Sequence, residues 1–256
     1  MGEWRFCEGS EPSVKPFLLL SIRGEQAAAD NEYESFLRFS GLAKSELPRV
    51  NLAQDELPQL DLEDWSGILL GGGAWNASDP AETKSEAQQR CERAISALLD
   101  DVIARDFPFL GACYGIGTVG LHQGGAVDRS WPEPVGPLPV TVTAQGRADP
   151  VFAGVPTEFM AYGGHKEAMV RLPPGVVHLA TSTACPVQAF RVGRHVYATQ
   201  FHPELDLEGI CTRIEVYKNA GYFDPSEAEN LKAQARAAQV RHPMTLLANF
   251  VALHTR

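Results

Sequence analysis

The chain has 256 residues, of which 44% are hydrophobic and 21% charged, and its formal net charge is −10. This length suits one α/β domain with additions, and the acidic balance without a basic stripe argues against a nucleic-acid partner. No apolar stretch is long enough for a membrane span, and five widely spaced cysteines fit neither a disulfide framework nor a zinc site, so we expect a cytoplasmic protein.

Strand and helix patterns alternate through the first half of the chain. Residues 1–14 have no periodicity and are predicted to be a disordered or loosely ordered lead-in. Apolar runs predict buried strands at 16–22, 49–52 and 65–70. Amphipathic patterns predict helices at 32–39, capped by Asp30-Asn31, and at 83–104. This alternation predicts a parallel sheet with functional groups at the carboxyl ends of its strands.

The most informative stretch follows the second helix. Residues 107–110 have the pattern of a buried strand, Gly111-Ala112-Cys113-Tyr114-Gly115 that of a sharp turn, and 116–121 that of a weak helix. Glycines on both sides of a nucleophile leave room for a strained turn, as in the nucleophile elbow. A helix N-terminus also favours the reactive thiolate. Cys113 is therefore the candidate nucleophile, and a small buried core cysteine is the alternative.

A second motif, Gln200-Phe201-His202-Pro203-Glu204, ends an apolar strand pattern. Residues two apart on a strand point to the same side, so Glu204 is predicted to hold the imidazole of His202. Pro203 lacks an N–H and is expected to end the strand at this point. With Cys113 these residues complete the nucleophile, base and orienting carboxylate of a generalised triad.

Three glycines, Gly71-Gly72-Gly73, follow the third strand. Their N–H groups can approach a ligand closely, which an oxyanion hole requires. A tight turn between strand and helix is the alternative.

Shorter strands are predicted in the second half, at 138–142, 176–180 and 187–192, with a hairpin turn at Gly193-Arg194. Residues 161–168 are predicted to form a substrate-lining loop. His165 and Glu167 are the conceivable metal ligands there, but with no further cluster beside them we predict neither a metal nor a cofactor. Helical patterns follow at 207–220, 226–239 and 245–254.

On these motifs the sequence resembles the class I (triad) glutamine amidotransferases, most closely the amidotransferase domain of GMP synthase type. The resemblance covers about residues 16–204 and implies an α/β fold with an open, mostly parallel, flavodoxin-like sheet flanked by helices. In that family a cysteine attacks the side-chain amide of glutamine, ammonia leaves, and water hydrolyses the glutamyl thioester.

Carried onto this sequence, the resemblance implies Cys113 as nucleophile, His202 as general base and Glu204 as its orienting carboxylate. It also implies an oxyanion hole made by the amide of Gly72 or Gly73 and the amide of Tyr114.

One departure from the family concerns the substrate. Gly117 stands where the family usually has Gln, a side chain that helps to recognise glutamine. The substrate-binding residues are predicted to be Gly117, Gly164, His165 and Gln200. Because the missing amide leaves specificity open, three functions are considered: hydrolysis of glutamine, hydrolysis of a γ-glutamyl peptide or conjugate, and a catalytically idle binding subunit.

The other departure is the C-terminal extension. A single domain is predicted over 15–256, with a helical insertion at about 210–242 that serves as a lid or a dimer surface. The expected partners are glutamine or another γ-glutamyl small molecule, a synthase subunit that accepts ammonia, and a second copy of the chain. Neither nucleic acid nor membrane is expected.

Overall fold

The computed structural model describes residues 14–256, so the predicted lead-in lies outside the described residues except for Val14. The strands are β1 (Phe17–Ser21), β2 (Arg49–Asn51), β3 (Gly67–Leu70), β4 (Phe109–Ala112), β5 (Ala126–Asp128), β6 (Glu133–Val142), β7 (Glu158–His165), β8 (Ala168–Arg171), β9 (Val177–Thr181), β10 (Ala189–Val192) and β11 (Val196–Thr199). The helices are α1 (Gln26–Ser40), α2 (Glu86–Ala104), α3 (Tyr114–His122), α4 (Ala144–Arg147), α5 (Leu207–Tyr217), α6 (Ala228–Ala237) and α7 (Pro243–His254).

The main sheet has nine strands in the order β2-β1-β3-β4-β11-β10-β9-β6-β7. Its first five strands are parallel to one another. The remaining strands join in antiparallel pairs and form an arm on one side. The predicted open, mostly parallel central sheet with flanking helices is confirmed, and its parallel part brings the carboxyl ends of β3, β4 and β11 to one edge.

Both faces of the parallel strands are buried, which explains their continuous apolar sequence. In β1, Leu18 and Leu20 pack on one face with residues of α2, whereas Phe17 and Leu19 pack on the other with residues of α1 and α7. The strand period of two sends successive side chains to opposite faces. Within residues 14–256, no helix combines the length and the apolarity that crossing a membrane requires.

The C-terminal extension packs against the arm of the sheet. Leu205, Ile210 and Ile214 form a third cluster with Tyr162 of β7 and with α6. The hydroxyl of Tyr162 donates a hydrogen bond to the carbonyl oxygen of Ala235 at 2.8 Å. The extension is therefore held by the same strand that leads towards His165.

Several element boundaries differ from those predicted. Helix α1 begins at Gln26, so Asp30 and Asn31 lie inside it and do not cap it. Most of the predicted loop at 161–168 is strand, because β7 runs to His165 and pairs along its length with β6. Strand β11 ends at Thr199, so His202 and Glu204 lie beyond the strand in a turn.

Candidate active site

Cys113 lies on a strained turn between β4 and α3. Its backbone has φ 53° and ψ −90°, a conformation that is costly for a residue with a β-carbon. The N–H of Cys113 donates to the carbonyl oxygen of Thr199 at the end of β11, at 2.7 Å. A β-carbon on Gly111 would lie 2.9 Å from Cα of Gly115, so the two glycines are needed where the chain folds back on itself.

His202 and Glu204 come together through the turn after β11. Nδ1 of His202 donates to Oε1 of Glu204 at 2.7 Å, and both residues are buried. The N–H of His202 also donates to the carbonyl oxygen of Tyr162 at 3.1 Å, which ties the turn to β7. The expected contact is present, but the alternation of strand side chains is the wrong reason for it.

Gly72 lies between Cys113 and His202. A β-carbon on Gly72 would lie 2.6 Å from Cε1 of His202 and 3.2 Å from Cβ of Cys113. The two side-chain atoms are therefore no more than 5.8 Å apart, the sum of those distances. Any residue larger than glycine would have to displace the imidazole.

Three backbone N–H groups surround the cysteine without a bond to another protein group. Those of Gly72, Gly73 and Tyr114 donate to no acceptor within residues 14–256, whereas the neighbouring N–H of Gly71 donates to Leu20. Tyr114 is the first residue of α3, where helical N–H groups have no partner inside the helix. These free donors lie where an oxyanion hole was predicted.

Burial sets the protonation of the two reactive groups. It raises the pKa of the Cys113 thiol to about 11, although Arg23 and Arg213 act in the opposite direction. Burial also lowers the pKa of His202 to about 4, against the pull of Glu204. The resting pair is thus a thiol beside a neutral imidazole, and the thiolate expected from the helix N-terminus is wrong because burial outweighs that effect.

A buried network of charges supports the imidazole from below. Nη2 of Arg213, on α5, donates to Oε1 of Glu204 at 2.8 Å. Nε of Arg23 donates to Oε1 of Glu32 at 2.8 Å, and Arg213 is 3.5 Å from the same oxygen. Burial alone would raise the pKa of Glu204, but His202 and Arg213 lower it well below its ordinary value. The carboxylate therefore stays ionised and fixes the imidazole tautomer.

The predicted substrate-binding residues line one cavity, named here the Gly117 cavity. Cys113 and Tyr114 line it as well, and its predicted substrate-binding members are Gly117, Gly164, His165 and Gln200. Oε1 of Gln200 is buried and has no hydrogen-bond partner within the described residues, so it is available to a ligand. The four residues are brought together as predicted, while their roles remain predictions.

Glu167 fills part of the space beside Gly117. Its Oε1 would be 3.5 Å from a β-carbon on Gly117. Its carboxylate accepts hydrogen bonds from the N–H groups of Ala77 and Ser78, at 2.7 and 2.8 Å, and from the Ser78 hydroxyl at 2.5 Å. Glu167 thus ties the segment after β3 to the arm of the sheet.

His165 belongs to a second buried cluster. Its Nδ1 donates to the carbonyl oxygen of Glu167 at 2.8 Å, and its Nε2 is 2.9 Å from Oε2 of Glu133. Within residues 14–256, Glu133, His165 and Cys185 are the one group with potential metal-ligand atoms within 4.8 Å of one another. The absence of a cluster inferred from the sequence is therefore wrong.

Hydrogen bonds already satisfy this second cluster. The carboxylate of Glu133 accepts from Ser182 Oγ at 3.1 Å and from Gln188 Nε2 at 2.5 Å. Since both ring nitrogens of His165 also have protein partners, the imidazole supports the cavity wall and does not point a free nitrogen at a substrate.

Tyr222 covers the cysteine from the segment between α5 and α6. It lines the Gly117 cavity and also a second cavity beside Cys113. Its hydroxyl donates to the carbonyl oxygen of Ala74 at 3.3 Å. Nζ of Lys166 lies 4.1 Å from the centre of its ring and donates to the carbonyl oxygen of Ala220 at 3.3 Å.

Sequence reasoning missed Arg23, Arg213 and Glu133. Arg213 had a recognisable signal, because it lies on the helical stripe of Ile210, Ile214 and Tyr217 that is otherwise apolar. A cation in such a stripe indicates a buried partner. Arg23 had a weaker signal, its place just after the first strand, where functional groups collect in parallel sheets.

Fold and site together define an α/β protein with a cysteine on a nucleophile elbow and a His–Glu pair beside it. Residues 37–212 match the family model for glutamine amidotransferase class I. Since this match covers more than half of the chain, the chain belongs to the class I glutamine amidotransferase family, and we describe it as an enzyme of that class.

Curated relatives include both short and long proteins. A subunit of the glutamine-hydrolyzing GMP synthase of Thermoplasma acidophilum is 28% identical over 158 residues, which cover 61% of this chain and 72% of the relative. The glutamine-hydrolyzing GMP synthase of Bacillus velezensis is 30% identical over 162 residues, which cover 63% of this chain but only 28% of that protein. The chain therefore corresponds to one part of the longer relatives.

Solved structures share the fold over nearly the whole chain. A glutamine amidotransferase from Thermotoga maritima has a TM-score of 0.73 at 20% identity and covers 93% of this chain and 97% of that one. A glutamine amidotransferase from Methylobacillus flagellatus has a TM-score of 0.68 at 17% identity, with 94% of each chain covered. At these identities the likeness establishes the fold alone.

Proposed function

We propose that the chain hydrolyses the side-chain amide of glutamine through a thioester on Cys113 and releases ammonia. The observation that carries the proposal is the strained turn of Cys113 with the His202–Glu204 pair beside it. Family membership supports the same chemistry, because the family is defined by glutamine amidotransfer.

The site supports a sequence of proton and acyl transfers. Nε2 of the neutral His202 takes the thiol proton as Sγ of Cys113 attacks the amide carbon, and the free N–H groups of Gly72, Gly73 and Tyr114 hold the oxyanion. The imidazolium then protonates the leaving nitrogen and the C–N bond breaks. Water attacks the thioester, His202 takes a proton from it, and the C–S bond breaks to release glutamate and the thiol.

Replacement of Cys113 tests the assignment. Cys113→Ala should lower glutamine turnover by more than about 10³-fold, with thermal unfolding close to that of the wild type. Cys211→Ser is the matched control, because Cys211 is a free, half-buried cysteine on α5. Turnover by Cys113→Ala near the wild-type rate would reject the mechanism.

Covalent labelling distinguishes an enzyme from a catalytically idle binding protein. A diazo-ketone analogue of glutamine should label Cys113 and leave Cys211 unmodified, because only Cys113 has a neighbouring base and oxyanion donors. Equal labelling of both cysteines would favour the idle alternative. Peptide mass spectrometry of the full chain identifies the modified residue.

A second candidate function is hydrolysis of a γ-glutamyl peptide or conjugate with the same residues. Gly117 favours it, because a side-chain amide that would read glutamine is absent. Comparing ammonia release from glutamine with glutamate release from γ-glutamyl dipeptides separates the two candidates.

The names of the relatives suggest a partner. The similar Thermoplasma protein is one subunit of a glutamine-hydrolyzing GMP synthase, so we propose that the ammonia acceptor is a separate synthase subunit. Co-purification with a synthase that stimulates glutamine hydrolysis would support this partner. A second copy of the chain is the other partner we propose, tested by the mass of the purified protein in solution.

A further inference from the structure

The geometry of the reaction assigns different sides of Cys113 to the two halves of a substrate. The carbonyl oxygen must face the N–H of Tyr114, which lines the Gly117 cavity. The leaving nitrogen must face His202, which protonates it. His202 lines the second cavity, named here the Arg213 cavity, so a leaving group extends into that space.

The Arg213 cavity is larger than the release of ammonia requires. Its volume is about 50 Å³, whereas a space of about 10–15 Å³ holds one water molecule, which is similar in size to ammonia. The Gly117 cavity, by comparison, has about 20 Å³.

The lining of the Arg213 cavity is cationic in an acidic protein. Two arginines, Arg23 and Arg213, contribute to it, and no Asp or Glu of the described residues does, although the chain has a net charge of −10. The remaining lining residues are glycine, apolar, aromatic, Cys113 or His202. The carboxylates of Glu32 and Glu204 bind these arginines from outside the lining.

Both guanidinium groups keep donors without a partner. Nε and Nη1 of Arg213 are buried and have no hydrogen bond within the described residues. Nη2 of Arg23 also has none there, and it is 3.4 Å from where a β-carbon on Gly72 would be, next to the reactive pair. Oε2 of Glu204 is likewise without a partner among these residues, but Glu204 does not line the cavity. Buried donors of this kind are costly unless a ligand satisfies them.

We propose that the Arg213 cavity binds a carboxylate on the leaving amine, so the favoured substrates are γ-glutamyl amino acids or peptides. Guanidinium groups match carboxylates in charge and in planar geometry. The proposal deepens the second candidate function and rests on the thioester mechanism.

The reaction balances with water as the only co-reactant. Sγ of Cys113 forms a bond to the γ-carbonyl carbon, the C–N bond breaks, and the leaving amine takes the proton that His202 carried. Water then forms the C–O bond as the C–S bond breaks. The products are glutamate and an amino acid whose carboxylate lies against Arg23 and Arg213 until release.

A matched substrate pair tests the proposal on the full wild-type chain. γ-Glutamylglycine carries the carboxylate, γ-glutamylglycinamide replaces it by a neutral amide of similar size, and glutamine has neither. Glutamate release measures all three. We expect kcat/KM to be at least about tenfold higher for γ-glutamylglycine than for the glycinamide.

The ratio of the two dipeptides in variants identifies the binding group. Arg23→Gln should bring the ratio close to one, and Arg23→Lys should retain part of it. Arg49→Gln is the control, because Arg49 pairs with Asp30 away from the cavity and the ratio should not change. A wild-type ratio near one, or a ratio unchanged in Arg23→Gln, would overturn the proposal.

The possible failures are distinguishable. Hydrolysis of glutamine without hydrolysis of either dipeptide would overturn the carboxylate site and leave the proposed glutaminase function intact. No hydrolysis of any of the three substrates would overturn both.

Discussion

The parallel half of the sheet and the antiparallel arm with the α5–α6 extension contribute different kinds of groups to the site. Cys113, His202 and Gly72 all follow strands of the parallel half. Glu167 of the arm and Tyr222 of the extension instead surround the space in front of the cysteine. The division indicates that changes in the parallel half should alter the rate of the chemical step, whereas changes in the arm and extension should alter substrate choice and affinity.

Glu204→Gln should have the largest effect, because it lies in the parallel half and holds the imidazole. We expect kcat/KM for glutamine to fall by about 10³- to 10⁴-fold. Glu215→Gln is the control in the extension, since Glu215 is a surface residue that pairs with Lys232 at 2.8 Å. Similar losses in the two variants would contradict the division, and thermal unfolding of each separates folding defects from catalytic ones.

Gly72→Ala should have the next largest effect, since the new β-carbon would be 2.6 Å from Cε1 of His202. Displacing the imidazole should lower kcat by about 100-fold. Gly24→Ala is the matched control, because a β-carbon there meets nothing within 4 Å. If Gly72→Ala keeps the wild-type kcat, the close packing of the reactive pair is not required for turnover.

Glu167→Gln tests the arm. Glutamine has one acceptor oxygen where the carboxylate has two, so the N–H of either Ala77 or Ser78 loses its partner. We expect KM for glutamine to rise about tenfold while kcat stays within about threefold. A fall in kcat with an unchanged KM would place Glu167 with the catalytic groups instead.

The smallest expected effect is that of pH. His202 accepts a proton only when neutral, and its pKa of about 4 keeps it neutral far below pH 7. Between about pH 6 and pH 8, kcat/KM should therefore change by less than about twofold. A histidine with an ordinary pKa would leave only about a quarter of the activity at pH 6, so a titration of that form would show that His202 is less buried in solution.

The sequence predicts local features of this molecule better than long-range ones. The elbow at Cys113 was recognisable because its glycines and strand are adjacent in the chain. The contact of His202 with Glu204 was predicted, but it depends on a turn that Pro203 and the end of β11 create. The start of α1 was placed too late, because Asp30 resembles a cap although Glu25 precedes the helix.

Groups that meet across the fold could not be located in this way. Arg23 and Glu32 are close in sequence, but their common partner Arg213 lies on α5. Glu133 and Cys185 reach His165 only through the pairing of β6 with β7 and the loop before β10. No spacing rule links such residues, because their distances depend on how the arm and the extension pack on the sheet.

The cover formed by Tyr222 has a consequence for traffic at the cysteine. A molecule that reaches Cys113 must separate the Tyr222 hydroxyl from Ala74, and a product departs through the same opening. The weak contacts there allow frequent opening, whereas the covered interval shields the acyl-enzyme from bulk solvent. An acceptor enzyme that captured nascent ammonia without dilution would have to dock over the segment that carries Tyr222.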